Sequence, residues 1–266
     1  MRILAIGDPH GDLKAIKKIS LKGIDLILLT GDLGSANLAR KRAFENADRK
    51  KQGLPEIGYS STERKKAFME IYDSALALVR YLARHAPVYT IFGNAEQSNS
   101  TTRKESKEIG LKLPFLKDDL EKIHGVRIIN NRIASFEGVR IGGLDYFIDT
   151  SWVREFKPGD YSDKLRQAKK ESDKAKRVLG NFGRVDILLC HQPPYGILDK
   201  VTFKGAPKHW LGKHAGSEVI LGYVKKEQPK YVFCGHIHEG AGQARIGKSM
   251  VYNLGIAQTK LIDIED

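Results

Sequence analysis

Five apolar runs along this chain each end in a side chain able to hold a metal ion, and this recurrence constrains the fold more than any other feature. Ile3-Leu4-Ala5-Ile6 runs into Gly7-Asp8-Pro9-His10-Gly11. Leu26-Ile27-Leu28-Leu29-Thr30 runs into Gly31-Asp32, and Val88-Tyr89-Thr90-Ile91-Phe92 into Gly93-Asn94. Ile187-Leu188-Leu189-Cys190 delivers His191, and Tyr231-Val232-Phe233-Cys234 delivers Gly235-His236-Ile237-His238. Short unalternating apolar runs bounded by glycine read as strands buried on both faces, the texture of a parallel sheet. Such sheets gather ligands at the carboxyl edge of their strands, so the five ends should converge in space. Taken singly, each Asp, Asn or His is more readily a cap or a solvated loop residue; taken jointly they read as a metal site. At the first turn, Asp8 offers a hard oxygen and His10, two residues on, a borderline nitrogen to a shared point.

The series Asp8-x-His10, Gly31-Asp32, Gly93-Asn94, His191 and Gly235-His236-x-His238 resembles the calcineurin-like metallophosphoesterases in both order and strand-end context, over residues 8 to 238 of 266. His191-Gln192-Pro193-Pro194-Tyr195-Gly196 with Lys213-His214-Ala215-Gly216-Ser217 further resembles a branch of small microbial phosphoesterases and their animal relatives. The resemblance implies an α/β fold, a four-layer αββα sandwich of two mixed sheets flanked by helices. It implies two divalent transition-metal ions, with Asp8, His10, Asp32 and His238 around one and Asp32, Asn94, His191 and His236 around the other. Asp32 would be shared. Two cations roughly 3.5–4 Å apart hold a bridging hydroxide and clamp phosphoryl oxygens in an in-line displacement. Mixed oxygen and imidazole donors suit Mn, Fe, Ni, Co or Zn better than calcium, and Mn is taken first. Asp32, Asn94 and His191 are the expected catalytic residues, and no organic cofactor is implied.

One departure bears on substrate. The family commonly reads Gly-Asn-His-Asp or Gly-Asn-His-Glu, its histidine serving as general acid or phosphate contact, whereas this chain reads Gly93-Asn94-Ala95-Glu96. Alanine donates no proton, and general-acid help is worth about a hundred- to ten-thousandfold. The expected activity is therefore hydrolysis of phosphodiesters, nucleotide-type esters among them, with Glu96, Tyr195 and His214 as candidate stand-ins for the acid. The alternative class is a non-catalytic metal-bound scaffold like the retromer subunit that shares the fold. A DNA-repair nuclease ranks below both.

The 266 residues suit one domain, since the ligand-bearing strand ends are scattered over most of the chain. Sixty-one residues separate Asp32 from Asn94, more than a helical crossover needs, so a helical elaboration is inserted at about 36–86. Its first part, around Leu38 to Arg49, is basic; Ser60 with Glu63 resembles a capping box, opening a stripe of Phe68, Ile71, Tyr72, Ala75, Leu78, Val79 and Leu82 that reads as core. The looser half, about 36–60, is a candidate lid or partner surface. Asp12 should cap a helix over Leu13–Ile19. Asn130-Asn131 and Glu137-Gly138 read as hairpin turns between short strands, and Gly242–Ile246 should turn at Gly247-Lys248 into Met250–Asn253. The aromatics Tyr146, Phe147, Trp152 and Phe156 in the segment 145–161 either contact substrate or pack the loop down.

Forty-five Lys and Arg against 32 Asp and Glu leave a formal charge of +13, which favours anionic partners such as phosphate esters or nucleic acid, a small phosphoester substrate being the expected one. No aromatics interleave the basic runs, so nucleic acid is not favoured. No segment approaches the roughly 20 apolar residues a membrane helix needs, and Met1 leads straight into a strand, so a cytoplasmic protein without a membrane partner is expected. Cys190 and Cys234, each closing an apolar run, read as free buried thiols.

Overall fold

All five runs form short strands. In chain order the elements are β1 (Arg2–Ile6), α1 (Leu13–Ile16), β2 (Leu26–Leu29), α2 (Asn37–Lys51), α3 (Ser61–Leu82), β3 (Val88–Thr90), α4 (Asn99–Ile109), α5 (Leu116–Glu121) and β4 (Val126–Ile128). There follow β5 (Arg132–Phe136), β6 (Val139–Leu144), α6 (Thr150–Phe156), α7 (Tyr161–Phe182), β7 (Ile187–Cys190), α8 (Glu218–Glu227), β8 (Tyr231–Cys234), β9 (Gly242–Ile246), β10 (Ser249–Asn253) and β11 (Thr259–Asp263). The computed structural model describes residues 1–264.

The strands make two mixed sheets, one ordered β11-β1-β2-β3-β4 and the other β5-β6-β7-β8-β10-β9. β1, β2, β3 and β4 run parallel in the first, and β6, β7, β8 and β10 in the second; β11, β5 and β9 close the edges antiparallel. Successive strand side chains point to opposite faces, and the packing follows that alternation. Ile3 and Ala5 face inward, where they meet Leu26, Leu28, Ile187, Leu189 and Phe233 in a core shared by the two sheets. Leu4 and Ile6 face outward beside Ile27, Leu29, Leu78 and Leu82, against α3 and its neighbours. On the far side, Leu188, Cys190 and Val232 pack against Leu179 of α7 and Ile220 of α8. The result is the αββα sandwich, with eight α-helices around two sheets among the described residues. Both cysteines are free and buried. Among the described residues no helix is long and apolar enough to cross a membrane.

The capping box at α3 is present: Ser60 Oγ accepts from the Glu63 backbone, and Glu63 accepts from Ser60 N at 2.9 Å. The α3 stripe divides, however. Ala75, Leu78, Val79 and Leu82 are core, while Phe68, Ile71 and Tyr72 are only partly buried and line a cavity. α2 has no buried residue.

Three local expectations need correction. Asn130-Asn131 is not a hairpin turn, because β4 pairs with β3 in one sheet and β5 with β6 in the other. The pair carries the chain between sheets, with Asn130 Oδ1 accepting from Phe92 N at 2.8 Å and Asn131 left-handed at φ 57°. The helix after Asp12 is capped as expected, yet it stops at Ile16. The segment 145–161 is not all loop, since Asp149 caps α6 by accepting from Ser151 N; α4 likewise opens on Ser98, which accepts from Thr101 N, and closes on left-handed Gly110.

Candidate metal centre

The carboxyl ends of β1, β2, β3, β7 and β8 meet, and the structure brings all seven expected residues together there. Asp8 and His10 follow β1, Asp32 follows β2, Asn94 follows β3, His191 follows β7, and His236 and His238 follow β8. The His10 and His238 Nε2 atoms lie 3.0 Å apart, with His238 Nε2 3.4 Å from Asp8 Oδ2 and His10 Nε2 3.9 Å from Asp32 Oδ2. His191 Nε2 lies 3.6 Å from Asp32 Oδ1 and 3.0 Å from Asn94 Oδ1, and that same oxygen lies 2.8 Å from His236 Nδ1. Two groups could hold a cation each: Asp8, His10 and His238, and Asp8, Asp32 and His191. Asp8 thus faces both groups, and Asp32 also reaches toward both through His10 and His191.

The donor set fits divalent cations on two grounds. Asp8 and Asp32 are 0% and 4% exposed, yet among the described residues neither has a Lys or Arg partner; only imidazoles lie within ion-pair distance. Buried carboxylates without a compensating cation are strongly disfavoured, so the pair calls for positive charge that no Lys or Arg provides. Second, His191 Nδ1 lies 2.9 Å from the Thr30 carbonyl oxygen and so carries a proton, leaving Nε2 directed at two oxygens, Asn94 Oδ1 and Asp32 Oδ1. Between acceptor atoms only a proton or a metal ion is comfortable.

Electrostatics agree. Burial resists ionisation of Asp8, but His191, His238 and the Thr30 hydroxyl, which donates to Asp8 Oδ1 at 2.6 Å, hold its carboxyl down at about 2. Burial lowers His10 and drives His236 well below the usual imidazole range, keeping both in the neutral, metal-binding form. Burial acts in the same sense on His191, but Asp32, Asp8 and the Thr30 carbonyl outweigh it and raise the ring. A cation would therefore displace a proton at His191.

The backbone holds these groups under strain. His10, Asp32 and His236 are left-handed, with φ of 43°, 44° and 66°. Such residues cost roughly 1–3 kcal/mol each and persist where the surrounding structure over-determines them. The adjoining glycines have a separate role, close approach. A Cβ on Gly93 would stand 2.2 Å from Asp32 Oδ1, and one on Gly235 would stand 2.1 Å from Asp8 Oδ1.

Sequence reasoning missed one residue of the centre outright and the roles of two others. Thr30, the one polar residue in its apolar run, binds Asp8 through its hydroxyl and His191 through its carbonyl, orienting two candidate ligands at once. Glu96 is buried and ties two loops: Oε1 accepts from Leu33 N at 2.7 Å, and Oε2 from Gly93 N at 2.9 Å. Burial and the Asp32 charge raise its carboxyl to about 7. With both oxygens held by backbone, Glu96 is a positioning group and makes a poor stand-in for the absent acid. Tyr146 is the loop aromatic that reaches the centre, its ring 5.9 Å from that of His191 and 5.4 Å from that of His236. Phe156 and Trp152 instead pack with Trp210 in a satellite cluster. The other two stand-ins are engaged elsewhere: the Tyr195 hydroxyl donates to Glu155 Oε1, and His214 Nδ1 sits 2.7 Å from Asp199 Oδ1. Asp199 Oδ2 accepts from Gly196 N and Gly216 N, so the stretches 191–196 and 213–217 are joined by a structural clasp.

A family model described as calcineurin-like phosphoesterase matches residues 1–240, which include every residue of this centre. The chain belongs to the calcineurin-like phosphoesterase family. Members of this family are metal-dependent phosphoesterases that bind two divalent ions. One solved structure aligns over 99% of this chain and 99% of its own at 14% identity with a TM-score of 0.54, showing a shared fold. The protein TT1561 of Thermus thermophilus aligns over 96% of this chain and 89% of its own at 17% identity, TM-score 0.42. No curated protein matches the chain in sequence.

Proposed function

We propose that this calcineurin-like phosphoesterase hydrolyses phosphodiesters, nucleotide-type esters among them, and acts as one domain over residues 1–266 with the helical elaboration inserted at about 36–86. The observation that carries the reading is the meeting of two buried carboxylates that lack any Lys or Arg partner with Asn94 and four imidazoles. Two divalent ions held there, with Mn taken first, would supply Lewis acidity toward phosphoryl oxygens and a nucleophile ionised at neutral pH.

The chain's own groups do the positioning. Asp8, His10, Asp32 and His238 would hold one ion, and Asp32, Asn94, His191 and His236 the other. Thr30 fixes Asp8 and the His191 tautomer. Asn94 turns its oxygen to the two histidines, and its amide nitrogen, without a hydrogen bond among the described residues, is available to a phosphoryl oxygen. The Tyr146 ring covers His191 and His236 and limits water on that side.

No side chain at position 95 donates a proton to a leaving alkoxide, which favours esters whose leaving group departs as an anion. Across aryl and alkyl phosphodiesters at saturating Mn²⁺, turnover should fall steeply as leaving-group pKa rises. Ala95→His should flatten that slope and raise turnover of the poorest leaving groups by about tenfold or more. The cavity at Ala95 gives the larger ring room. A flat slope in the parent that the substitution leaves unchanged would show that another residue supplies the proton.

A further inference from the structure

Beside the centre, between the inserted helices and the chain beyond Asn94, lies a cavity of about 200 Å³. Full pockets for drug-sized ligands run to roughly 300–1,000 Å³, so this one matches a single ring system. Its wall toward the centre is Ala95, whose methyl lines the cavity while its backbone N–H donates to Asp32 Oδ1 at 2.9 Å. A group bound there is thus one residue from Asn94.

The chemistry of the walls defines the guest. Phe68 and Tyr72 offer aromatic surface, their rings stacked at 6.2 Å with 20° between planes. The charged groups are already engaged with one another. Arg64 Nε and its terminal nitrogen each lie 2.7 Å from a Glu105 oxygen, with Glu108 also at 2.7 Å, so no free cation is offered to a phosphate. The Tyr72 hydroxyl donates to Asp119 at 2.6 Å. Gln97 also lines the cavity, but its Oε1 is buried out of reach of a guest there.

We infer that this cavity is a subsite for the retained alcohol moiety of the substrate, taking a planar, uncharged ring of the nucleobase type against Phe68 and Tyr72. The inference rests on the reading of the adjoining centre as a phosphodiesterase. It gives the insertion a role in substrate selection, since α3 supplies both aromatic rings.

The test uses three p-nitrophenyl phosphodiesters with one leaving group and different retained alcohols: methanol, phenol and the 5′-hydroxyl of thymidine. Their kcat/KM should rise in that order, the thymidine ester exceeding the methyl ester by roughly tenfold or more through KM, as ring stacking on aromatic side chains implies. Ala67→Phe, which fills the cavity from α3, should erase the rise and leave the methyl ester unchanged; Ala39→Leu fills it from α2 should the first variant not fold. In parallel, binding of free thymidine is followed by saturation-transfer NMR, where binding lost in the filled variants supports the subsite. Equal kcat/KM for all three esters with no thymidine binding overturns the subsite while leaving the phosphodiesterase standing. A preference or binding that survives both filled variants overturns it too. Thymidine binding that the filled variants abolish, without hydrolysis of any ester, upholds the subsite and removes the phosphodiesterase reading alone.

Discussion

Asp32→Asn is expected to release at least one of two bound metal ions and to lower turnover of bis-p-nitrophenyl phosphate by more than about a hundredfold. Losing a group that merely orients a metal ligand typically costs ten- to a hundredfold, and Asp32 stands nearer the chemistry than that. Its carboxylate faces His191 at 3.6 Å and His10 at 3.9 Å, on the two sides of the centre. Asn keeps the shape and one oxygen, so Ala95 N retains an acceptor and the fold should hold. The loss would therefore report charge. Metal content and turnover, measured on the same preparation, check it; unchanged occupancy with unchanged turnover would remove Asp32 from the centre.

Gly93→Ala should have an effect of similar kind without touching any candidate ligand. The added Cβ would stand 2.2 Å from Asp32 Oδ1, 2.6 Å from Asp32 N and 2.6 Å from His191 Cε1, so a carboxylate or the imidazole must move. Overpacking of this sort costs about 1–3 kcal/mol in stability. The larger consequence falls on the metal geometry, with turnover lower by at least about tenfold. Gly222→Ala is the control. A Cβ there, inside α8, meets nothing within 4 Å, and replacing a helical glycine should stabilise by roughly 0.5–1 kcal/mol. Thermal unfolding and turnover of the two variants separate a local clash from a general intolerance of alanine. Gly93→Ala behaving like Gly222→Ala would contradict the packing described around Asp32.

The parallel strands and the seven converging residues were legible in the sequence for one physical reason. A strand buried on both faces seldom admits a charged side chain until it leaves the sheet, so Asp8, Asp32 and His191 stand out at the ends of apolar runs. The groups that hold them were not legible, because their signals are those of ordinary residues. Thr30 is a β-branched residue in a strand context, and its two contacts are long-range, to Asp8 and His191. Glu96 reads as a surface acid until the loops after β2 and β3 close over it. Gly93 and Gly235 are needed because carboxylate oxygens occupy the space of a Cβ, which the sequence does not show. The supposed hairpin at Asn130-Asn131 failed because local turn chemistry cannot tell a reversal within one sheet from a passage between two. The α3 stripe misled in part as well. Periodicity places Phe68 and Tyr72 on the apolar face, but it does not reveal that the neighbouring packing leaves a cavity there.

The central claim is that this cluster of strand ends holds two divalent ions, and metal stoichiometry tests it most directly. The purified protein is stripped with chelator, reloaded with Mn²⁺, dialysed to remove loosely bound ions and assayed for metal per chain by plasma mass spectrometry. The account predicts two ions per chain. One ion or none retained under those conditions would contradict it.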